Sequence, residues 1–118
     1  MILTIPGTPP SVNHYRGFSR RSGFWVRPEA KRWKRDVAVV AGGSKIIAKA
    51  YRIRAALYLA KGARLDADNA GKLICDALQD AGVISSDSKV MEFSVTKSRD
   101  WQNPRTVIEV SAIEEDKR

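Results

Sequence analysis

The sequence is poor in residue types that several functions require. It holds one cysteine, Cys75, and one histidine, His14, so an internal disulfide is excluded and a zinc site of the usual ligand types has too few donors. A lone thiol suits a reducing, cytoplasmic setting. No apolar run approaches the ~20 residues needed to cross a bilayer. The opening MILTIPGTPP lacks the basic start and long apolar middle of a signal peptide. Repeats, low-complexity tracts and obvious linkers are missing too. Acids are scarce at first: residues 1–54 carry 12 Lys and Arg against 2 Asp and Glu, whereas residues 55–118 carry 9 against 11.

What is present describes one globular domain, residues 1–118, with 43% hydrophobic and 29% charged residues, enough for a real core. The net charge of +8, gathered in the first half, points to a polyanionic partner beside a chemically different acidic region. Charge alone does not separate DNA from RNA or from an anionic membrane surface. A merely solvated basic face is the simple alternative.

Hydropathy patterning predicts a short strand at Ile2–Ile5, stopped by PGTPPS, and a hairpin over Tyr15–Val26 around RRSG. Pro28 opens a helix whose Ala30, Trp33, Val37, Val40 and Ala41 recur at helical spacing until Gly42-Gly43; Lys31, Arg32, Lys34 and Arg35 take the other face. Tyr51–Ala60 alternates as a strand with one face in the core. A second helix comes next, with Asp68 suited to its N-cap and Ala70, Leu73, Ile74, Ala77, Leu78 and Ala81 on its apolar side, ending before Gly82. Strands at Val90–Lys97 and Arg105–Ile113 close the chain. The expected class is α+β, with two helices packed on a mixed or antiparallel sheet.

The acidic stretch LDADNAGKLICDAL, Leu65–Leu78, stands out in so basic a protein. Asp66 and Asp68, two residues apart, can point the same way while the chain is extended. Lys72 and Asp76 continue from Asp68 at four-residue steps along one helical stripe. Asp87 lies in the loop beyond the helix, and the spacing permits it to return toward Asp66 and Asp68. Three converging carboxylates would repel one another unless a cation sat among them, and hard oxygen donors suit Mg2+ or Mn2+. The plain alternative is a helix cap plus a salt-bridged, solvated face. A calcium loop starting at Asp66 fails, because Ala70 and Ala77 occupy positions that need oxygen ligands.

The pattern D-x-D-N-x-x-K-x-x-x-D-A-L at Asp66–Leu78, with A-G-V-I-x-x-D after it at Ala81–Asp87, resembles the RusA family of Holliday-junction resolvases. PPSVNHYR, Pro9–Arg16, is similar to that family's N-terminal signature, so the resemblance spans nearly the whole chain. It implies a small homodimeric endonuclease, bacterial or phage-encoded, that nicks two opposing strands of a four-way DNA junction with Mg2+. Carried over by position, Asp66, Asp68 and Asp87 would hold the metal and Lys72 would be the essential lysine. Asn69 matches the motif as a hydrogen-bonding group behind them. Ser86-Asp87 replaces the two adjacent acids common in the family, and Asp87 is aligned with the metal-binding one. Asp76 matches the motif too, but its place two turns beyond Asp68 suits a structural role, and Asp80 suits solvent.

For DNA contact, Arg16, Arg20 and Arg21 lie in the hairpin, Lys61 and Arg64 flank the acidic motif, and Lys97 and Arg99 end the strand after Asp87. Phosphate contacts of this kind give affinity and steep salt dependence without base specificity. Trp33 belongs to the core face of its helix, whereas Trp25 and Trp101 are open to either packing or base stacking. Cys75 neighbours the apolar side of its helix with no obvious base, which suits a buried small residue. The rival readings are a catalytically silent module that grips branched DNA, and a metal nuclease acting on flaps or RNA.

Overall fold

The computed structural model describes residues 1–10, 16–19, 23–26 and 28–114, the two hairpin strands by their backbone alone. The elements run β1 (Ile2–Pro6), β2 (Arg16–Ser19), β3 (Gly23–Val26), α1 (Pro28–Ala41), β4 (Tyr51–Leu59), α2 (Ala67–Asp80), β5 (Val90–Arg99) and β6 (Arg105–Ala112), with a 3-10 turn at Asp87–Lys89 before β5. β2 and β3 pair antiparallel, Arg16 opposite Val26 and Ser19 opposite Gly23, as a separate ribbon. The other four strands form one mixed sheet in the order β1-β6-β4-β5, so the α+β class is observed and the sheet is the mixed variant. β6 is antiparallel to both β1 and β4, whereas β4 and β5 are parallel. Parallel neighbours need a crossover, and α2 supplies it.

Alternation decides which face of the sheet is covered. Tyr51, Ile53, Ala55, Leu57 and Leu59 of β4, Ile108 and Val110 of β6, and Leu3 and Ile5 of β1 are buried beneath the helices. From α2, Leu73, Ile74, Ala77 and Leu78 join this core, each fully buried aliphatic side chain contributing about 1.5–3 kcal/mol. α1 contributes Ala30, Trp33, Val37 and Ala41. Val40, expected in that stripe, is exposed, because the buried face of α1 is narrower than its apolar one. α1 stops at Gly42 and Gly43, whose φ values of +59° and +81° no β-carbon favours. The opposite sheet face is open and carries cross-strand pairs: Arg52 with Glu92, Arg54 with Glu109, and Arg105 stacked 3.8 Å from the centre of the Tyr58 ring.

Two polar links fasten the loops. The buried Tyr51 hydroxyl donates to the Ile46 carbonyl at 2.6 Å and accepts from the Ser85 N–H at 3.3 Å, while the Ile46 N–H donates to the Val83 carbonyl. The connection before β4 and the loop after α2 are thereby held together at one end of the sheet. Asp80 is exposed, as expected, and also pairs with Lys34 of α1 at 2.8 Å. No helix among the described residues is long and apolar enough to cross a membrane.

Candidate metal and DNA-binding site

The crossover decides where each acid of the motif falls. β4 ends at Leu59, a short loop intervenes, and α2 then runs back past the sheet so that β5 can start beside the beginning of β4, Val90 opposite Tyr51. Asp66 is the N-cap of α2: its backbone is extended (φ −75°, ψ 124°) and its carboxylate accepts the Asp68 N–H at 2.9 Å. The expected cap, Asp68, is instead the acid of the first turn, where the positive end of the helix favours its charge. Both carboxylates are exposed.

Asp87 sits at the other end of the helix. Its backbone N–H donates to the Gln79 side chain at 2.7 Å, and Ser86 caps the short turn that it begins. The 14 residues of α2 extend about 20 Å between these two ends. Burial, and after it the charges of Asp87 and Asp76, pushes the Cys75 thiol up to about 11. Among the described residues no group of three His, Cys, Asp or Glu side chains could hold a metal ion, so the expected gathering of Asp66, Asp68 and Asp87 is not made in this structure. The topology is the cause: a helix that returns the chain to the start of its neighbouring strand keeps the residues at its two ends apart.

The donor chemistry at the α2 N-terminus fits Mg2+. That ion is commonly held by one or two carboxylates, with water and phosphate completing its shell. Lys72 is exposed one turn beyond Asp68, Asn69 is half-buried beside them, and Asp76 is half-buried further along. Cys75, with its raised pKa, is a neutral thiol at physiological pH and no nucleophile.

The cations gather at the same end as Asp66. Lys97 reaches from β5 to donate to the Leu65 carbonyl at 3.0 Å, the residue just before the cap. Arg99 donates to the Ala60 and Ala63 carbonyls at 3.0 and 3.2 Å. Both were expected as DNA contacts; in the structure each fixes the β4–α2 loop, with further N–H donors left for another acceptor. Sequence reasoning missed this role, as it missed Gln79, because a carbonyl acceptor 32 residues away has no sequence signature. Arg64 is exposed on the loop, and Lys61 lies 5.1 Å over the centre of the Trp101 ring. The segment leading into the N-terminal motif is fixed at this end too: the Gly7 N–H donates to the Pro104 carbonyl at 3.0 Å, and the Thr106 hydroxyl donates to the Gly7 carbonyl at 2.9 Å. His14, Arg20 and Arg21 lie outside the described residues, as do the side chains of Arg16 and Trp25.

Residues 6–111 match the protein family described as Endodeoxyribonuclease RusA. The chain belongs to the RusA family. That match takes in both motifs, both helices and the sheet strands β4, β5 and nearly all of β6, and it carries the activity class: endonucleolytic cleavage of DNA, with Holliday-junction resolution as the family's role in recombination and repair. Its partner is therefore DNA, which accounts for the net charge of +8. No curated protein matches the sequence.

Proposed function

We propose that this RusA-family chain is a Mg2+-dependent homodimeric endonuclease that resolves four-way DNA junctions by paired symmetric nicks, acting on bacterial or phage DNA in the cytoplasm. The observation that carries the reading is the pairing of Asp66 and Asp68 at the start of α2, within the family match and beside Lys61, Arg64, Lys97 and Arg99. Asp66 and Asp68 would hold the metal, with Asp87 as the third acid that the family motif assigns to it. A divalent ion held there would supply Lewis-acid polarisation of the phosphodiester and activation of a water for attack. The free N–H groups of the first turn and the Lys72 ammonium attract the phosphate and offset the charge that develops on it. Asn69 steadies the carboxylates by hydrogen bonding. Arg16, Arg20, Arg21, Lys61 and Arg64 bind the phosphate backbone, with Lys97 and Arg99 adding their remaining donors. Junction selectivity then comes from shape, as a two-fold dimer sets two sites against two symmetric strands.

The test is strand scission of a synthetic four-way junction in Mg2+ or Mn2+, beside duplex, flap and RNA substrates, with wild type and Asp68→Asn. Wild type cuts the junction in paired positions, and the variant falls by about a hundredfold or more. A variant that cuts as fast as wild type overturns the metal assignment. The distance of Asp87 from the other two acids favours one rival, a silent module that grips branched DNA. Junction binding without scission at every divalent-ion concentration would select it. Preferred cutting of flaps or RNA would select the remaining one.

A further inference from the structure

Trp101 is 60% exposed, an unusual position for so large an apolar ring on a short turn. The turn is well braced. The Asp100 N–H donates to the Leu59 carbonyl at 3.0 Å, and the Asp100 carboxylate accepts from the Asn103 N–H at 3.3 Å and from Arg105 at 2.8 Å. Arg105 in turn stacks on Tyr58. An indole presented by a fixed support is pre-ordered for a ligand, because little conformational freedom remains to be lost on binding. Lys61 stands 5.1 Å over the centre of one face of the ring, and Arg99 on the next strand grips the same loop as Lys61. An aromatic face bordered by cations suits a nucleobase stacked on the ring with its phosphate against the ammonium.

The position relative to the acids fixes which part of the DNA this is. Lys61 and Asp66 are five residues apart in one loop, a span of at most about 18 Å. One DNA strand advances about 3.4 Å per nucleotide, so a base on Trp101 and a phosphate at Asp66 and Asp68 fall within about five nucleotides of each other. Bases inside a continuous duplex offer no free face, whereas those at the branch point of a junction can unstack.

We infer that Trp101 and Lys61 form a nucleobase-stacking site that holds an unpaired base at the branch point, within about five nucleotides of the cleaved phosphate. This site deepens the junction-nuclease reading and rests on it. The test uses the full chain, without divalent metal, and four-way junctions carrying a single 2-aminopurine at successive positions around the branch. Wild type quenches the fluorophore at one position or two neighbouring ones. Trp101→Ala abolishes that quench and weakens junction binding by about ten- to a hundredfold, while Trp101→Phe keeps most of both. Unchanged thermal midpoints show that the variants are folded. Equal quench and affinity in Trp101→Ala and wild type overturn the site, as does a wild type that quenches at no position. Cleavage of the unlabelled junction by wild type in Mg2+ reads the nuclease assignment separately, so a failure of one is not mistaken for a failure of the other.

Discussion

The Asp68 backbone N–H donates to the Asp66 carboxylate, so one proposed metal ligand caps the helix that carries the other. The two roles of Asp66 separate by substitution. Asn caps a helix about as well as Asp, whereas Ala costs about 1 kcal/mol. Asp66→Asn is therefore expected to unfold at the wild-type denaturant midpoint and still lose cleavage by about a hundredfold. Asp66→Ala loses cleavage to the same extent and about 1 kcal/mol of stability besides. Cleavage by Asp66→Asn at the wild-type rate would leave the carboxylate as a cap alone.

Lys97 and Arg99 hold the loop that delivers Asp66, and that role differs measurably from phosphate contact. A residue that only touches DNA changes junction affinity and the slope of affinity against salt, lowering the slope by about one on removal. A residue that fixes the loop changes the metal requirement. Lys97→Met, which keeps the length of the side chain and removes its donors, is expected to raise the Mn2+ concentration for half-maximal cleavage severalfold. Lys97→Arg, able to donate to the Leu65 carbonyl, restores much of it. Titration of Mn2+ binding without DNA provides the second readout, and an unchanged titration would return Lys97 to the role of a phosphate contact.

Gln79 anchors the backbone of Asp87 at the far end of α2. If Asp87 completes the metal shell, the turn at Asp87–Lys89 must leave that anchor, and whatever stabilises the anchored state opposes metal binding. Gln79→Met removes the acceptor from an exposed position at little cost to stability. It is expected to tighten Mn2+ binding severalfold, whereas Asp87→Asn weakens it. Isothermal titration of both variants checks the pair. Weaker binding by Gln79→Met would mean that the anchored turn is itself the competent arrangement.

Much of this molecule is legible in the chain. Ile53, Ala55, Leu57 and Leu59 alternate because one sheet face is buried, and Leu73, Ile74, Ala77 and Leu78 recur at helical spacing because one helix face is. The family motif then marks the acids. The choice of cap is not legible, because D-x-D offers two suitable residues and only the extended backbone at Asp66 selects between them. The separation of Asp87 is a matter of topology: the spacing is compatible with a return to Asp66, but a parallel β4–β5 pair obliges α2 to carry the chain away from it. The pairing of Lys34 with Asp80, 46 residues apart, arises from helix packing and leaves no local pattern.

Cys75 reports on this same helix face through its titration. Burial first, then the charges of Asp87 and Asp76, raises its pKa from 9.0 to about 11. A thiol raised on folding leaves stability intact below the ordinary value. Stability is then lost as pH climbs toward the folded value, because the unfolded chain ionises first. Denaturant midpoints are thus expected to fall between about pH 9 and pH 11 in wild type and to fall less in Cys75→Ser. Labelling gives the complementary reading: at pH 8 the native thiol carries about a hundredfold less thiolate than in the denatured chain, and alkylation slows accordingly. Because Asp87 supplies part of the shift, Mn2+ that draws Asp87 toward Asp66 and Asp68 should speed alkylation of the native protein. A labelling rate indifferent to Mn2+, in a protein shown to bind the ion, would place Asp87 at Gln79 throughout and leave Asp66 and Asp68 to hold the metal as a pair.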